Sequence, residues 1–137
     1  MKDKYFEILL KLITKCKKTG DVPVSALIVK DNKIISKSYN ERIKKFKTTN
    51  HAEIIALEKA NKKLKKYYLY DCDMYVTLKP CEMCQKVINN ARIRNVFYLI
   101  DKPNYKKEYS KTKYNEFQSN LAEKYTKILH DFFNNMR

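Results

Sequence analysis

The sequence predicts a single α/β domain in which helices cover the faces of one sheet. The chain has 137 residues, of which 44% are hydrophobic, and this suffices for one core. After an initial pair of strands, apolar segments of strand length alternate with segments of helical periodicity, which is typical of a sheet covered by helices. No repeat, linker or shift in composition divides the sequence, so residues 1–137 are expected to form one domain.

The first half of the chain predicts two helices separated by a β-hairpin. Thr19-Gly20-Asp21 ends the first helix, and Asp31-Asn32 forms a tight turn between two β-rich segments. A polar loop separates the hairpin from the second helix, in which apolar residues recur at mainly helical spacing. The elements predicted here are a helix over 4–16, strands over 22–29 and 33–39, a loop over 40–50 and a helix over 51–64.

The second half predicts strands and helices in alternation. Lys79-Pro80 ends a short apolar strand, and a segment rich in lysine and tyrosine precedes a weak edge strand. The closing helix carries its apolar residues on one side, namely Leu121, Tyr125, Ile128, Leu129 and Phe132. The elements predicted here are a strand over 74–78, a helix over 81–91, a strand over 95–100, a loop over 101–113, an edge strand over 114–119 and a helix over 120–135.

The composition suggests a polyanionic partner and a reducing compartment. The net charge of +15 favours RNA, because clustered lysines neutralise phosphates, although codons rich in A and T also explain part of a lysine excess of 26 against 4 arginines. No stretch approaches the ~18 apolar residues of a membrane span, and the N-terminus shows no apolar signal region. We therefore expect a cytoplasmic protein without membrane contact, whose four cysteines are thiols or metal ligands.

Two short motifs combine the residue types of a zinc site with a carboxylate. They are His51-Ala52-Glu53 and Pro80-Cys81-Glu82-Met83-Cys84, each at the start of a predicted helix. Cysteines at i and i+3 lie on one face of a helix, so both sulfurs can reach one ion. A zinc ion held by His51, Cys81 and Cys84 keeps a fourth position open for water, as in catalytic sites. Glu53 is then suited to move protons between that water and a substrate.

The same residues leave other interpretations open. A Cys-x-x-Cys pair also occurs in redox centres and in structural zinc sites, and a structural site requires a fourth ligand such as Cys16 or Cys72. The redox interpretation leaves the His-x-Glu motif unexplained, and the structural interpretation leaves Glu53 without a task. Cys16 and Cys72 are therefore interpreted as half-buried thiols, and His130 as a surface or packing residue.

The chain resembles the tRNA-specific adenosine deaminases of the cytidine deaminase-like superfamily over most of its length. Residues 20–26, 49–53 and 75–81 are similar to the family's G-D-V-P-V-G-A, T-A-H-A-E and Y-V-T-L-E-P-C motifs. Tyr39-Asn40 matches a strand-end asparagine, and the closing helix is similar to the family's last helix. The resemblance implies a three-layer α/β/α cytidine deaminase-like fold with a five-stranded mixed sheet.

The resemblance also implies an activity, namely the zinc-dependent hydrolytic deamination of adenosine to inosine at the wobble position of tRNA. By this resemblance, His51, Cys81 and Cys84 would bind Zn²⁺, and Glu53 would be the catalytic proton shuttle. The expected partners are a tRNA anticodon stem-loop and a second copy of the chain in a homodimer.

Substrate contacts follow from the same resemblance. Asn40 would hydrogen-bond the flipped nucleoside, whereas Val22, Pro23 and Ala52 would line the base pocket. Phe132 or Phe133 of the closing helix would contact RNA, with Phe133 as the chosen candidate. Basic residues of the 101–113 loop and of the closing helix would hold phosphates.

Several positions depart from the family pattern. Lys79 stands where the family usually has glutamate, Asn50 replaces an alanine and Ser25 replaces a glycine. The segment from 101 to 107 lacks glycine and is shorter than usual. These changes spare the metal ligands and Glu53, so they concern substrate recognition. Two alternatives stay open: a deaminase of a free base or nucleoside (cytosine, guanine or cytidine type), and a non-enzymatic protein with a closed zinc site, either an RNA-binding module or a partner subunit that has lost activity.

Overall fold

The structure of the protein is a computed structural model that describes residues 2–101 and 111–135. Its helices are α1 (Asp3–Leu12), α2 (Arg42–Lys45), α3 (Ala52–Leu64), α4 (Glu82–Asn90) and α5 (Leu121–Asn135), and a 3-10 helix, Ile13–Lys18, follows α1. Its strands are β1 (Ser25–Lys30), β2 (Lys33–Tyr39), β3 (Asp73–Leu78), β4 (Asn95–Ile100) and β5 (Lys113–Glu116). Most of the predicted 101–113 loop lies outside the described residues.

The five strands form one sheet in the order β2-β1-β3-β4-β5. β1 runs antiparallel to β2 and β3, whereas β3, β4 and β5 are parallel to one another. The predicted five-stranded mixed sheet is therefore confirmed. Ser25 pairs with Tyr39 and Ala26 with Val76, so β2 and β3 end at the same edge of the sheet. The segments that follow these strands lead into α3 and α4, whose N-termini therefore come together.

One face of the sheet is covered by α3 and α4, which contact each other. Ser36 and Ser38 lie two residues apart on β2, so their side chains point to the same face. Both hydroxyls donate hydrogen bonds to backbone carbonyls of α3, at Ala56 and Ala52 respectively. These buried bonds fix the first turns of α3 against the edge strand.

The opposite face is covered by α1 and α5. On β1, Ala26 stands opposite Ser38, and the next residue, Leu27, stands opposite Tyr75, so Tyr75 faces away from α3. The ring of Tyr75 packs against the ring of Tyr5 in α1, with 4.7 Å between the centroids. α5 packs on β4 and contacts α1. Helices thus lie on both sides of the sheet, as a three-layer fold requires.

The closing helix is joined to the segment that precedes β1. Tyr125 is fully buried, and its hydroxyl donates a hydrogen bond of 2.9 Å to the carbonyl of Pro23. The other apolar residues predicted for this side of the helix are half-buried, namely Leu121, Ile128, Leu129 and Phe132. In the part of the chain that the structure describes, α5 and the other helices lack the length and apolar composition of a membrane span.

Some element boundaries differ from the predicted ones for local reasons. β1 begins at Ser25 and not at Val22, because Pro23 has no N–H and Val24 donates its own N–H back to Val22. The first helix adopts 3-10 geometry from Ile13. β5 covers Lys113–Glu116 in place of 114–119, and α2 occupies part of the segment predicted as a loop.

Candidate active site

Two helix N-termini meet at the edge of the sheet where β2 and β3 end. His51 immediately precedes α3 and Cys81 immediately precedes α4, and both have extended backbone conformations. Cys84 lies in the first turn of α4 and is buried. The positive ends of the two helix dipoles favour thiolate and other negative groups at this place.

The side chains of His51, Cys81 and Cys84 converge. Their ligand atoms lie within 4.8 Å of one another, and Cys81 Sγ is 3.8 Å from His51 Nδ1. One imidazole and two sulfurs are the donor types that suit Zn²⁺. Among residues 2–101 and 111–135, this is the group of His, Cys, Asp and Glu side chains that could hold a metal ion.

Hydrogen bonding within this group favours a thiolate at Cys81. The Cys84 thiol beside it lowers the pKa of Cys81 to about 4, and His51 acts in the same direction. The hydrogen bond with Cys81 raises the pKa of His51. The pKa of Cys84 is raised, first by its hydrogen bond to Cys81 and then by burial. A second thiolate at Cys84 would therefore need a cation to offset its charge.

Glu53 lies beside these donors in the first turn of α3. Its side chain contacts Cys84, it is 3% exposed, and burial raises its pKa to about 7. Its Oε1 is the buried side-chain polar atom that lacks a hydrogen-bond partner in the described chain. Leaving such an atom unpaired costs about 1–3 kcal/mol. A buried, unpaired carboxylate oxygen next to a metal-type donor set is suited to exchange protons with a bound molecule.

Asn40 connects three parts of the site. Its Oδ1 accepts a hydrogen bond of 2.8 Å from the N–H of Ala52, the first residue of α3, and its Nδ2 donates one of 3.0 Å to the carbonyl of Val22. Its backbone N–H donates to Val24. An amide of this kind has one further N–H and one further lone pair. The predicted pocket residues Val22 and Ala52 are therefore brought together by the predicted substrate residue.

Asp21 supports the site, although its place in Thr19-Gly20-Asp21 indicates only the end of a helix. Its buried carboxylate accepts hydrogen bonds from the N–H groups of Ile43 (2.9 Å) and Lys44 (3.4 Å) and from the hydroxyl of Thr19 (2.8 Å). These amides lie in the first turn of α2, where helix N–H groups have no partner of their own. Asp21 thus fixes the loop between Asn40 and His51.

A groove of about 730 Å³ runs beside this region between the 3-10 helix and α5. Pro23, a predicted pocket residue, lines it together with Ile13, Ile128 and Phe132. Phe133, the predicted RNA contact, lies at the next position and is 46% exposed. The half-buried ring is therefore Phe132, and the ring available at the surface is Phe133.

Known proteins similar to this chain are deaminases. The family model of MafB19-like deaminases matches residues 1–137. The tRNA-specific adenosine deaminase of Buchnera aphidicola subsp. Schizaphis graminum is 35% identical over 146 residues, which cover 99% of this chain and 97% of that protein. The chain belongs to the tRNA-specific adenosine deaminase family.

Solved structures of other deaminases share the fold of this family member. A tRNA:A34 deaminase, described for A-to-I editing at the wobble position of transfer RNA, superposes with a TM-score of 0.76 at 27% identity and covers 85% of this chain and 100% of its own. The guanine deaminase of Bacillus subtilis superposes with a TM-score of 0.67 at 35% identity and covers 72% of this chain and 64% of its own. The cytidine deaminase-like fold is thereby confirmed.

The remaining cysteines of this deaminase lie apart from the donor group. Cys16 is buried with its thiol 3.8 Å from the carbonyl of Asn40, and Cys72 is buried beside Asp71. Neither belongs to the group that could hold a metal ion. Burial raises the pKa of both thiols to about 11. Both are fully buried and not half-buried as expected, and His130 is exposed on α5.

Lys79, where the deaminase family usually has glutamate, lies between the end of β3 and Pro80. Its side chain is 9% exposed, and its Nζ is 3.6 Å from the carboxylate of Asp101 at the end of β4. The same ammonium group lies 5.6 Å from the ring centre of Tyr98. The reversed charge is therefore accommodated by an acidic and an aromatic neighbour.

Proposed function

We propose that this deaminase hydrolyses adenosine 34 of a tRNA to inosine. The observation that carries the proposal is the unpaired Oε1 of Glu53 beside the converging side chains of His51, Cys81 and Cys84. A closed structural site has no use for such a carboxylate. The similarity to a tRNA-specific adenosine deaminase over nearly the whole chain supports adenosine in tRNA as the substrate.

His51, Cys81 and Cys84 would hold zinc, since one imidazole and two thiolates leave a coordination position open. When bound, zinc supplies Lewis acidity that makes a water molecule nucleophilic at neutral pH. Without metal, a hydrogen bond between the two sulfurs lowers the pKa of Cys81 and raises that of Cys84, and bound zinc would offset the charge of both thiolates.

Glu53 would move the protons of the reaction. Its carboxylate accepts a proton from the attacking water and gives it to N1 of adenine, then takes the second proton from the new hydroxyl on C6 and gives it to the leaving amino group. A bond forms between the water oxygen and C6, the bond between C6 and the amino nitrogen breaks, and ammonia leaves. Burial keeps bulk water away from the carboxylate and raises its affinity for the transferred proton.

The base pocket would be formed by Val22, Pro23 and Ala52, with Asn40 as the polar contact. One N–H of Asn40 is engaged by Val22, so its other N–H would donate to the flipped nucleoside. Phe133, exposed on α5, would contact RNA beside the pocket. The net charge of +15 would attract the phosphates of the anticodon stem-loop.

The protein would act as a homodimer in the cytoplasm. Met83 and Val87 lie one turn apart on the outer face of α4 and are 36% and 37% exposed, so a second copy would bury an apolar strip there. Thiolate ligands persist in a reducing compartment, which supports the cytoplasm.

Incubation of the purified, zinc-loaded protein with total tRNA tests the proposal. We expect inosine at position 34, measured by sequencing, and an equal amount of ammonia. We also expect RNA binding to weaken steeply with salt, because several phosphates are neutralised. A loaded protein that binds tRNA but leaves every adenosine unchanged would contradict the proposed reaction.

Deamination of free guanine is a second candidate, because the Bacillus subtilis guanine deaminase is 35% identical and shares the fold. The same preparation incubated with guanine, cytosine and cytidine separates the two. Release of ammonia from a free base, with little dependence on salt and no inosine in tRNA, would favour this second function.

A further inference from the structure

Phe46, at the C-terminal end of α2, has an exposure and a backbone conformation that packing does not explain. Its side chain is 94% exposed, and its φ of 55° and ψ of 41° place it in the left-handed region. Among the described residues, the other non-glycine positions with positive φ are Asp31, Asn32, Lys65 and Arg92, which are all polar. Glycine or asparagine is usual where a helix ends in this way, and a bulky residue there is strained.

The loop that carries Phe46 is held at several points. Asp21 binds the N–H groups of the first turn of α2, as described above. At the base of the loop, the N–H of Glu41 donates to the carbonyl of Asn50 over 3.0 Å. Across the loop, Nε of Arg42 donates to the carbonyl of Thr48 over 2.9 Å. These hydrogen bonds fix the backbone that carries the exposed ring. The loop therefore loses little conformational freedom when the ring binds a partner.

This loop forms part of the rim of the candidate active site. It begins after Asn40, which fixes the start of α3, and it ends at the proposed ligand His51. The N–H of His51 itself donates to the carbonyl of Thr49 over 2.8 Å, so the loop leads directly into the donor group. Phe46 has basic neighbours on both sides in the sequence, namely Arg42, Lys44, Lys45 and Lys47. The acidic residue of this segment is Glu41.

We propose that Phe46 stacks on a base of the substrate RNA next to the adenosine that enters the active site. An exposed aromatic face between basic side chains is the arrangement by which proteins hold single-stranded RNA, the cations binding phosphates and the ring binding a base. This role rests on the proposed tRNA substrate, since a free base has no neighbour to stack. The hydrogen bonds that hold the loop offset the strain at this position, and strained residues of this kind cluster at functional sites.

Two substitutions of one side chain test the role of the ring. Phe46→Asn suits the left-handed backbone but removes the ring, whereas Phe46→Trp keeps an aromatic face. We expect Phe46→Asn to raise the Kd for a fluorescein-labelled anticodon stem-loop RNA at least about fivefold, as loss of a base stack does. The melting temperature should not fall. Phe46→Trp should bind the RNA like the parent protein.

Tyr67 provides the matched control, because it is 75% exposed and lies beyond the far end of α3, roughly 20 Å from the site by helix rise. Tyr67→Asn should leave the Kd unchanged. An unchanged Kd in Phe46→Asn, an equal loss in Phe46→Trp, or a weaker Kd that coincides with loss of the dimer in size-exclusion chromatography would overturn the proposal. RNA binding is measured apart from inosine formation, so absence of deamination would refute the proposed function without deciding the role of Phe46.

Discussion

Glu53 combines burial with an unpaired oxygen, and a proton-transfer role predicts how its replacement acts. Glu53→Gln keeps the size of the side chain and removes the acceptor that takes the water proton. We expect the single-turnover rate on tRNA to fall by roughly 10²-fold or more, the scale of a general acid–base contribution. The metal content, measured by atomic absorption, should stay the same because Glu53 is not one of the proposed ligands.

Exposed Glu58, five residues farther along α3, supplies the control. Glu58→Gln should react at the parent rate. Near-normal turnover of Glu53→Gln would show that the carboxylate does not take part in the mechanism. It would also remove the main structural reason for preferring an enzyme to a zinc-stabilised binding module.

Lys79 is the second residue whose replacement has a definite expected sign. Lys79→Glu, which restores the usual family residue, places a carboxylate near that of Asp101, where the parent protein has an ion pair of 3.6 Å. The Lys79 side chain is nearly buried but that of Asp101 is 42% exposed, so we expect a loss of about 1–2 kcal/mol in the free energy of unfolding.

A double-mutant cycle in urea checks this expectation. The reversed pair, Lys79→Glu with Asp101→Lys, should recover most of the lost stability, because it restores opposite charges at the ends of β3 and β4. If the losses of stability in the two single variants simply add in the double variant, the two side chains do not stabilise each other.

At the scale of secondary-structure elements, α2 depends on a residue far away in the sequence. Asp21→Ala removes the acceptor for the amides of Ile43 and Lys44, and we expect a loss of about 1–3 kcal/mol in the free energy of unfolding. Hydrogen exchange at these two amides should become faster than in the parent protein. The RNA affinity should also fall, because the loop that displays Phe46 loses its support.

Asp21→Asn serves as the conservative variant, since its remaining carbonyl oxygen can still accept from Ile43. It should retain most of the protection of that amide. Equal exchange of both amides in Asp21→Ala and the parent protein would show that α2 is stabilised in another way.

The contrast between α2 and α3 shows what the sequence could and could not predict. The helices with apolar residues at regular spacing and the strands with β-rich runs were predicted, because local periodicity follows directly from burial on one face. The four residues of α2 lack that pattern, and their amides are held by Asp21 in a contact that spans 22 positions. The start of β1 was misplaced because residue types around Pro23 indicate a strand, whereas the backbone turns there.

The residues of the candidate site also fall into those that the sequence predicts and those that it does not. The sequence predicts His51, Glu53, Cys81 and Cys84, because their types and spacing at two helix starts are typical of a catalytic zinc site. The double attachment of Asn40 to Val22 and Ala52, and the left-handed conformation of Phe46, depend on backbone geometry that a motif does not contain. Sequence patterns therefore located the reactive groups, and the structure located the residues that position them.

At the scale of the whole molecule, the sheet brings two distant segments to one edge and leaves the other cysteines buried elsewhere. The four thiols should therefore differ in their reactivity once the metal is removed. In the metal-free protein, Cys81 is half-buried and its pKa is lowered to about 4, so it should be alkylated rapidly by iodoacetamide. Cys16 and Cys72 are buried with pKa values raised to about 11, so they should react slowly in every state.

Removal and return of zinc tests this expectation with mass spectrometry as the readout. Treatment with a chelator should abolish deamination, lower the melting temperature and expose Cys81 to alkylation, because a ligand that binds only the folded state stabilises it. Zinc added before the reagent should protect Cys81 and restore the rate, while labelling of Cys16 and Cys72 stays the same. If zinc does not change the labelling of Cys81, this cysteine is not a metal ligand. Strong protection of Cys72 by zinc would indicate that the site has a different set of donors.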